Sequence, residues 1–279
     1  MTLTPEQLKG RIRNIAKDNN ADARILLRIH MMERLLERVS VSNYRNNFII
    51  KGGMLITALV GVSLRSTMDI DTSLENLNLS EADARRIITE IKDIDIGDGI
   101  TFKIRNAESI MDEMEYPGIR ITMDAIMCKL VIPIKVDIST GDIITPQPVE
   151  YRYKLLLEDR YINLLSYNLE TVLAEKIQTV LARGILNTRM RDFYDIRTLF
   201  LMYGDQLEVD ILKNAFDATC IKRGTINLGQ DITGIVSSIE SDNHLRSLWT
   251  AYQKKFPYAS DISYEAVIDS LKVLCRGIA

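Results

Sequence analysis

The sequence predicts an α/β (α+β) fold in two parts, a mixed-sheet N-terminal half and an all-helical C-terminal half, on three observations. Apolar residues alternate with polar ones through Ile119, Ile121 and Met123, and again through Ile132, Ile134, Val136 and Ile138, the period-two signature of half-buried strands. From Asn168 onward the apolar spacing changes to threes and fours, which is helical. Between the two regimes, Thr145-Pro146-Gln147-Pro148 blocks both helix and central strand and marks a connection. The boundary falls near residue 166, giving parts 1–166 and 167–279.

The elements follow in chain order. Thr4-Pro5-Glu6-Gln7 starts a helix with a hydroxyl cap, a proline at the first helical position and a glutamine three residues on. A second helix is predicted over Ala21 to Val39, where Ile25, Ile29, Met32, Leu36 and Val39 form one stripe; Arg24, Arg28 and Arg38 lie on its other faces and read as a solvated surface. Phe48 to Ile50 and Met68 to Leu74 read as short strands flanking a helix at Gly53 to Leu59, and a helix at Ser80 to Lys92 precedes a weaker strand over Thr101 to Ile110. An extended segment covers Tyr151 to Ser166. The helix opening at Asn168 ends at Arg183-Gly184, with glycine in the usual terminal place. Trp249, Tyr252 and Phe256 fall at helical intervals and read first as a core stripe, second as a stacking surface for bases.

Composition narrows the function classes. At 279 residues, 46% hydrophobic and 26% charged, the chain is neither disordered nor a membrane protein. A net charge of -3 excludes a polycation that coats nucleic acid, but the charge is uneven: Met1 to Arg45 holds nine basic against five acidic residues, and Asp69 to Glu115 five against thirteen. Cys128, Cys220 and Cys275 are odd in number and lack CxxC spacing, and the N-terminus is polar with no apolar leader. A cytoplasmic location with no membrane partner is the expectation. His30 and His244 have no partner at ligand spacing and read as ordinary surface or core residues.

The chemistry concentrates in a few stretches. Residues i and i+2 of a strand share a face, so Asp69 and Asp71 are expected side by side while Ile70 turns to the core. Two such carboxylates suit Mg²⁺ (or Mn²⁺), which takes one or two protein carboxylates and completes its shell with phosphate oxygens; exposed strand ends are the plainer reading of the spacing alone. Lys51-Gly52-Gly53 stands between a strand and a helix, where bare backbone N–H groups can approach phosphate, although a glycine pair is also an ordinary loop. Arg65, Ser66 and Thr67 add a fork donor and two hydroxyls. Asp137, on the polar face of its strand, is a third carboxylate that neighbouring strands could align with the pair as a third metal residue, the set that suits two-metal phosphoryl transfer; taken alone it reads as a solvent-facing strand residue. Further on, Lys176 flanks an apolar stripe; Asp192 and Asp195 share a helix face on which Arg191 can pair with Asp195, and Lys176 to Arg197 holds five basic residues against two acidic.

The run KGGMLITALVGVSLRSTMDID resembles the first motif of the AbiEii toxin family, a branch of the DNA polymerase β-like nucleotidyltransferases. IKVDIS is similar to the second motif, VLAEKIQTVLAR to the third and RDFYDI to the fourth, in order over residues 48 to 200. The resemblance implies a polymerase β-like nucleotidyltransferase domain with an all-helical C-terminal domain that contributes Lys176 and Asp192 to the cleft. It implies a toxin partnered by an AbiEi-type antitoxin in abortive phage infection, related to MenT toxins that transfer nucleotides to the 3′ acceptor end of tRNA, and it includes GTP-binding members. Carried over, Asp69 and Asp71 bind metal; Gly52, Gly53, Arg65 and Thr67, with Lys51 and Ser66 beside them, contact the nucleoside triphosphate; Lys176 holds its phosphates; and Asp192, with Asp195 close behind, is the fourth-motif carboxylate. The wider superfamily often has Gly-Ser where this chain has Gly52-Gly53, so a hydroxyl there is expected from Ser66 or Thr67. On this reading NMP passes from an NTP to an RNA acceptor, with Asp137 orienting or deprotonating the attacking hydroxyl. The competing readings are an NTP-binding toxin without transfer, and a transferase acting on a protein or small molecule.

Overall fold

In the computed structural model, which describes residues 3–77, 79–111 and 117–279, seven strands form one mixed sheet. They are β1 (Phe48–Lys51), β2 (Ile70–Leu74), β3 (Thr101–Met111), β4 (Pro117–Met127), β5 (Leu130–Thr140), β6 (Val149–Lys154) and β7 (Tyr161–Ser166), in the order β3-β4-β5-β2-β1-β7-β6. β2 runs parallel to β5 and β1 parallel to β7, while β1 and β2 are antiparallel, as are β3 and β4, β4 and β5, and β6 and β7. The alternation read from the sequence has its cause here: Ile121, Met123, Ile134, Val136 and Ile138 are buried, each contributing roughly 1.5–3 kcal/mol by leaving water. The extended segment before residue 166 resolves into the β6–β7 hairpin.

Helix α1 (Pro5–Asp18) begins with the expected capping box: the Thr4 hydroxyl accepts from the Gln7 amide at 3.2 Å and the Gln7 side chain from the Thr4 amide at 2.9 Å. Helix α2 (Ala23–Val41) packs on β5 and β7, and α3 (Gly52–Val60) and α4 (Glu81–Lys92) complete this part. One expectation for α2 fails. Arg38 is not on a solvated face: it is 2% exposed, donates a fork to Asp98 at 2.8 and 2.9 Å and bonds the Ile100 carbonyl at 2.7 Å. Charge pattern misread it because the segment ahead of β3 folds over α2 and brings its own carboxylate.

The chain divides into two compact units, Met1–Asp142 with Pro148–Tyr167, and Ile143–Gln147 with Asn168–Ala279. The second unit is helical: α5 (Leu169–Arg183), α6 (Met190–Tyr203), α7 (Val209–Lys222), α8 (Ile232–Ser241), α9 (Asn243–Lys255) and α10 (Tyr264–Ile278). α5 packs on α7 and α6 on α10, around Leu173, Ile177, Phe193, Phe216 and Leu271. Trp249 and Tyr252 are buried and stack at 5.4 Å, so their stripe belongs to the core. Cys128, Cys220 and Cys275 are free thiols, and no helix among the described residues is long and apolar enough to cross a membrane.

Beneath α2, burial pushes the Glu33 carboxyl up to about 8, against the Leu156 amide and Tyr153 hydroxyl it accepts from and the nearby Arg34 charge. Burial likewise drives His30, 3.9 Å from Glu33, down to about 3. Their proton balances oppose each other between the two unfolded values, near pH 4.5 and 6.5. Above that window only Glu33 differs, held protonated when folded and ionised when unfolded, so stability falls as pH rises toward 8. Thermal melts at pH 6.5 and 8 should show this decline in the parent, and E33Q should flatten it.

Candidate functional site

The β-sheet registers place four charged residues in one row. Arg120 on β4 pairs with Asp137 on β5, Asp137 with Asp71 on β2, and Asp71 with Lys51 on β1. Residues directly opposite in a sheet share a face, so the row reads positive, negative, negative, positive. Its ends are tied. Arg120 forks onto Asp137 at 2.8 and 2.7 Å, and Lys51 Nζ donates to Asp142 at 2.6 Å. Asp71 alone in the row has no side-chain ion pair among the described residues; it accepts the Gly53 amide at 3.2 Å. Burial and the neighbouring Asp137 and Asp69 charges push its carboxyl above the usual range, opposed by that amide and by Lys51.

The glycine pair is fitted to this carboxylate. Gly52 has a φ of +60°, and a Cβ there would stand 2.3 Å from Asp71 Oδ2. A Cβ on Gly53 would stand 2.4 Å from the Thr67 hydroxyl, so Thr67 fills the space that a serine side chain at residue 53 would need. Of the two hydroxyls expected to replace it, Thr67 is the one the fold brings there. Thr67 is buried and donates to the Asp69 carbonyl at 3.3 Å.

Asp69 departs in detail from its expected place. β2 begins at Ile70, so Asp69 lies in the bend just before the strand, half-buried, with Lys135 Nζ at 3.3 Å. Arg65 is 3% exposed and donates to the Ser66 carbonyl; it braces the loop beneath the glycines. Ser66 is half-buried beside it. Asp137 joins the row as its strand face implied, with both oxygens on Arg120.

Among the described residues no group of three or more His, Cys, Asp and Glu side chains could hold a metal ion. A carboxylate pair with oxygen donors only, one of them without a cation, is what Mg²⁺ with phosphate ligands requires, so Asp69 and Asp71 fit it.

In the helical unit Lys176 Nζ lies 2.7 Å from Asp192 and 2.8 Å from Asp195, and Arg189 adds a contact of 2.8 Å to Asp192. The i, i+3 spacing on α6 puts both carboxylates on one lysine. The basic stretch is thereby partly neutralised from within, and Arg191 lies over the Phe256 ring at 5.4 Å.

Sequence reasoning missed Arg120 and Asp142. Arg120 was visible as the polar partner in the Ile119–Ile121 alternation, but its register with Asp137 was not. Asp142 has no motif: its side chain is fully buried and accepts from Lys51, Ser139 at 2.8 Å and Tyr167 at 2.8 Å. Burial pushes its carboxyl up, but Lys51 and these donors outweigh that and lower it.

A family model described as nucleotidyl transferase AbiEii toxin, type IV TA system, matches residues 34–270. A protein from H. pylori described as a nucleotidyltransferase aligns over 91% of this chain and 96% of its own, at 16% identity and a TM-score of 0.48. JHP933 from Helicobacter pylori aligns over 89% and 90%, at 14% identity and 0.47. No curated protein matches the chain.

Three variants test this geometry. Gly52→Ala combines a left-handed backbone with a contact on Asp71, and should lower stability by about 1–3 kcal/mol in urea denaturation. Lys176→Met leaves Asp192 and Asp195 buried without their lysine and should cost about 3–5 kcal/mol by the same measurement, whereas Lys176→Arg should retain most of the stability.

Proposed function

The chain belongs to the AbiEii family of nucleotidyl transferase toxins of type IV toxin–antitoxin systems, and from that premise we propose that it moves NMP from an NTP to the 3′ acceptor end of tRNA. The observation that carries this reading is the Asp71 carboxylate, open to a cation and capped by the Gly53 amide at the start of α3. Asp69 and Asp71 are the residues that hold Mg²⁺ (or Mn²⁺). When bound, the ion supplies neutralisation of triphosphate charge as pyrophosphate leaves.

The chain's own groups do the rest. Gly52 and Gly53 let phosphate approach the backbone N–H groups at the helix start. Thr67 offers its hydroxyl where a serine would otherwise stand, and Lys51, anchored by Asp142, adds positive charge behind Asp71. Asp137, its plane fixed by Arg120, orients the attacking ribose hydroxyl. Lys176, with Asp192 and Asp195 setting its ammonium, is the triphosphate lysine of the third motif. The relation to MenT toxins, an AbiEi-type antitoxin, a role in phage defence and a cytoplasmic location belong to the same reading.

Incubating the protein with each labelled NTP, Mg²⁺ and either total tRNA or lysate tests it. Label should appear on tRNA; label on protein or small molecules only, or binding without turnover, overturns the tRNA assignment. Asp71→Asn should lower transfer on the order of 10²–10³-fold. Thr67→Val, which keeps the shape and removes one hydrogen bond, should lower it about tenfold. Circular dichroism should show both variants folded, and both should lose toxicity in cells lacking antitoxin.

A further inference from the structure

Within the helical unit, α6 packs on α9, and a cluster of aromatic rings runs from their shared core toward the surface. Trp249, Tyr252 and Tyr194 are its buried part, while Phe256 and Tyr258, just after α9, are half-buried. The Phe256 ring lies 4.6 Å from that of Tyr252, and the Tyr258 ring 4.8 Å from that of Tyr194. Phe256 and Tyr258 stack on each other at 5.4 Å with their planes 24° apart. Two cations converge on the Phe256 ring: the Arg191 guanidinium 5.4 Å from its centre and Lys255 Nζ at 5.5 Å. Lys254 stands next in the chain, exposed.

None of Arg191, Lys254 and Lys255 forms an ion pair among the described residues. The two lysines have an ordinary reason to be there, since the last turn of a helix is the negative end of its dipole. Arg191 does not. It occupies the first turn of α6, where the dipole disfavours a cation, and it does not take the Asp195 carboxylate four residues on, which faces Lys176 instead. A guanidinium at the positive end of a helix, sharing one half-buried ring with a second unpaired cation, gains from an anion that arrives from outside.

We propose that this surface binds the single-stranded 3′ end of the acceptor RNA, with phosphates on Arg191 and Lys255 and a base against the exposed part of the Phe256–Tyr258 pair. The assignment rests on the RNA-acceptor reading above and adds the place where the acceptor is held. Single-stranded RNA is favoured over an acidic peptide because carboxylates need only the cations, whereas rings interleaved with cations offer the stacking that unpaired bases use. Arg191 immediately precedes Asp192, which with Asp195 holds the Lys176 ammonium at 2.7 and 2.8 Å. A strand seated here is therefore brought beside the lysine assigned to the triphosphate.

Fluorescence anisotropy of the full chain with a labelled single-stranded RNA oligonucleotide, without NTP or Mg²⁺, tests the surface separately from transfer. Saturable binding is expected, and weaker binding of a duplex of the same sequence. Phe256→Leu, which keeps an apolar side chain in the cluster but removes the ring, should weaken Kd about tenfold. Arg191→Gln and Lys255→Gln should each reduce the slope of log Kd against log salt by about 0.7, the loss of one phosphate contact to a single strand. Lys255→Gln, at an exposed residue, decides the matter if Phe256→Leu fails to fold. An unchanged Kd and salt slope in the glutamine variants overturns the proposal, as does equal binding of the duplex. Binding of polyglutamate with the same dependence on Phe256 overturns the choice of RNA. Transfer of label to tRNA that is indifferent to these variants removes this surface and leaves the transfer reading intact; variant-sensitive RNA binding without transfer does the reverse.

Discussion

Asp71 and Asp137 stand on neighbouring parallel strands in the same register, and the charged side chains around them are arranged about that juxtaposition. Two like charges at this spacing are tolerated only when other groups share the field. The protein supplies those groups from the outside inward: Arg120 from β4 onto Asp137, Lys51 from β1 beside Asp71, and Asp142 beneath Lys51 to hold it in place. Asp71 is left with a single backbone amide and a raised proton affinity, and so remains the member of the row that gains most from a cation.

The same economy explains the loop. Gly52 and Gly53 are needed because Asp71 and Thr67 already occupy the space in which their side chains would begin. The hydroxyl absent from residue 53 returns from residue 67, fourteen positions later in sequence and adjacent in space.

Strand alternation, the Thr4 capping box and the helical C-terminal half were legible because each rests on neighbours within a few residues. The Asp69–Asp71 pair and the glycines were legible for the same reason. Register was not: nothing in β4 or β5 taken singly says that Arg120 meets Asp137 across ten paired positions. Arg38 was misread because a helical charge seen from its own helix is indistinguishable from a solvated one until Asp98 arrives from sixty residues away. Asp142 was invisible because its three donors come from β1, β5 and the end of β7.

The short segment Ile143–Gln147 belongs with the helical unit, although the β6–β7 hairpin that follows it returns to the sheet. It is held there by Thr145, whose amide donates to the Thr171 hydroxyl at 3.1 Å and whose carbonyl accepts from Asn168 at 2.7 Å. The polypeptide therefore passes between the units three times, and no single cut releases either one whole. A fragment ending at residue 166 would carry an orphaned piece of its neighbour, and the complementary fragment would lack the strap on which the start of α5 is fastened. Recombination between relatives at one crossover would inherit the same defect, so the two units are constrained to be exchanged together.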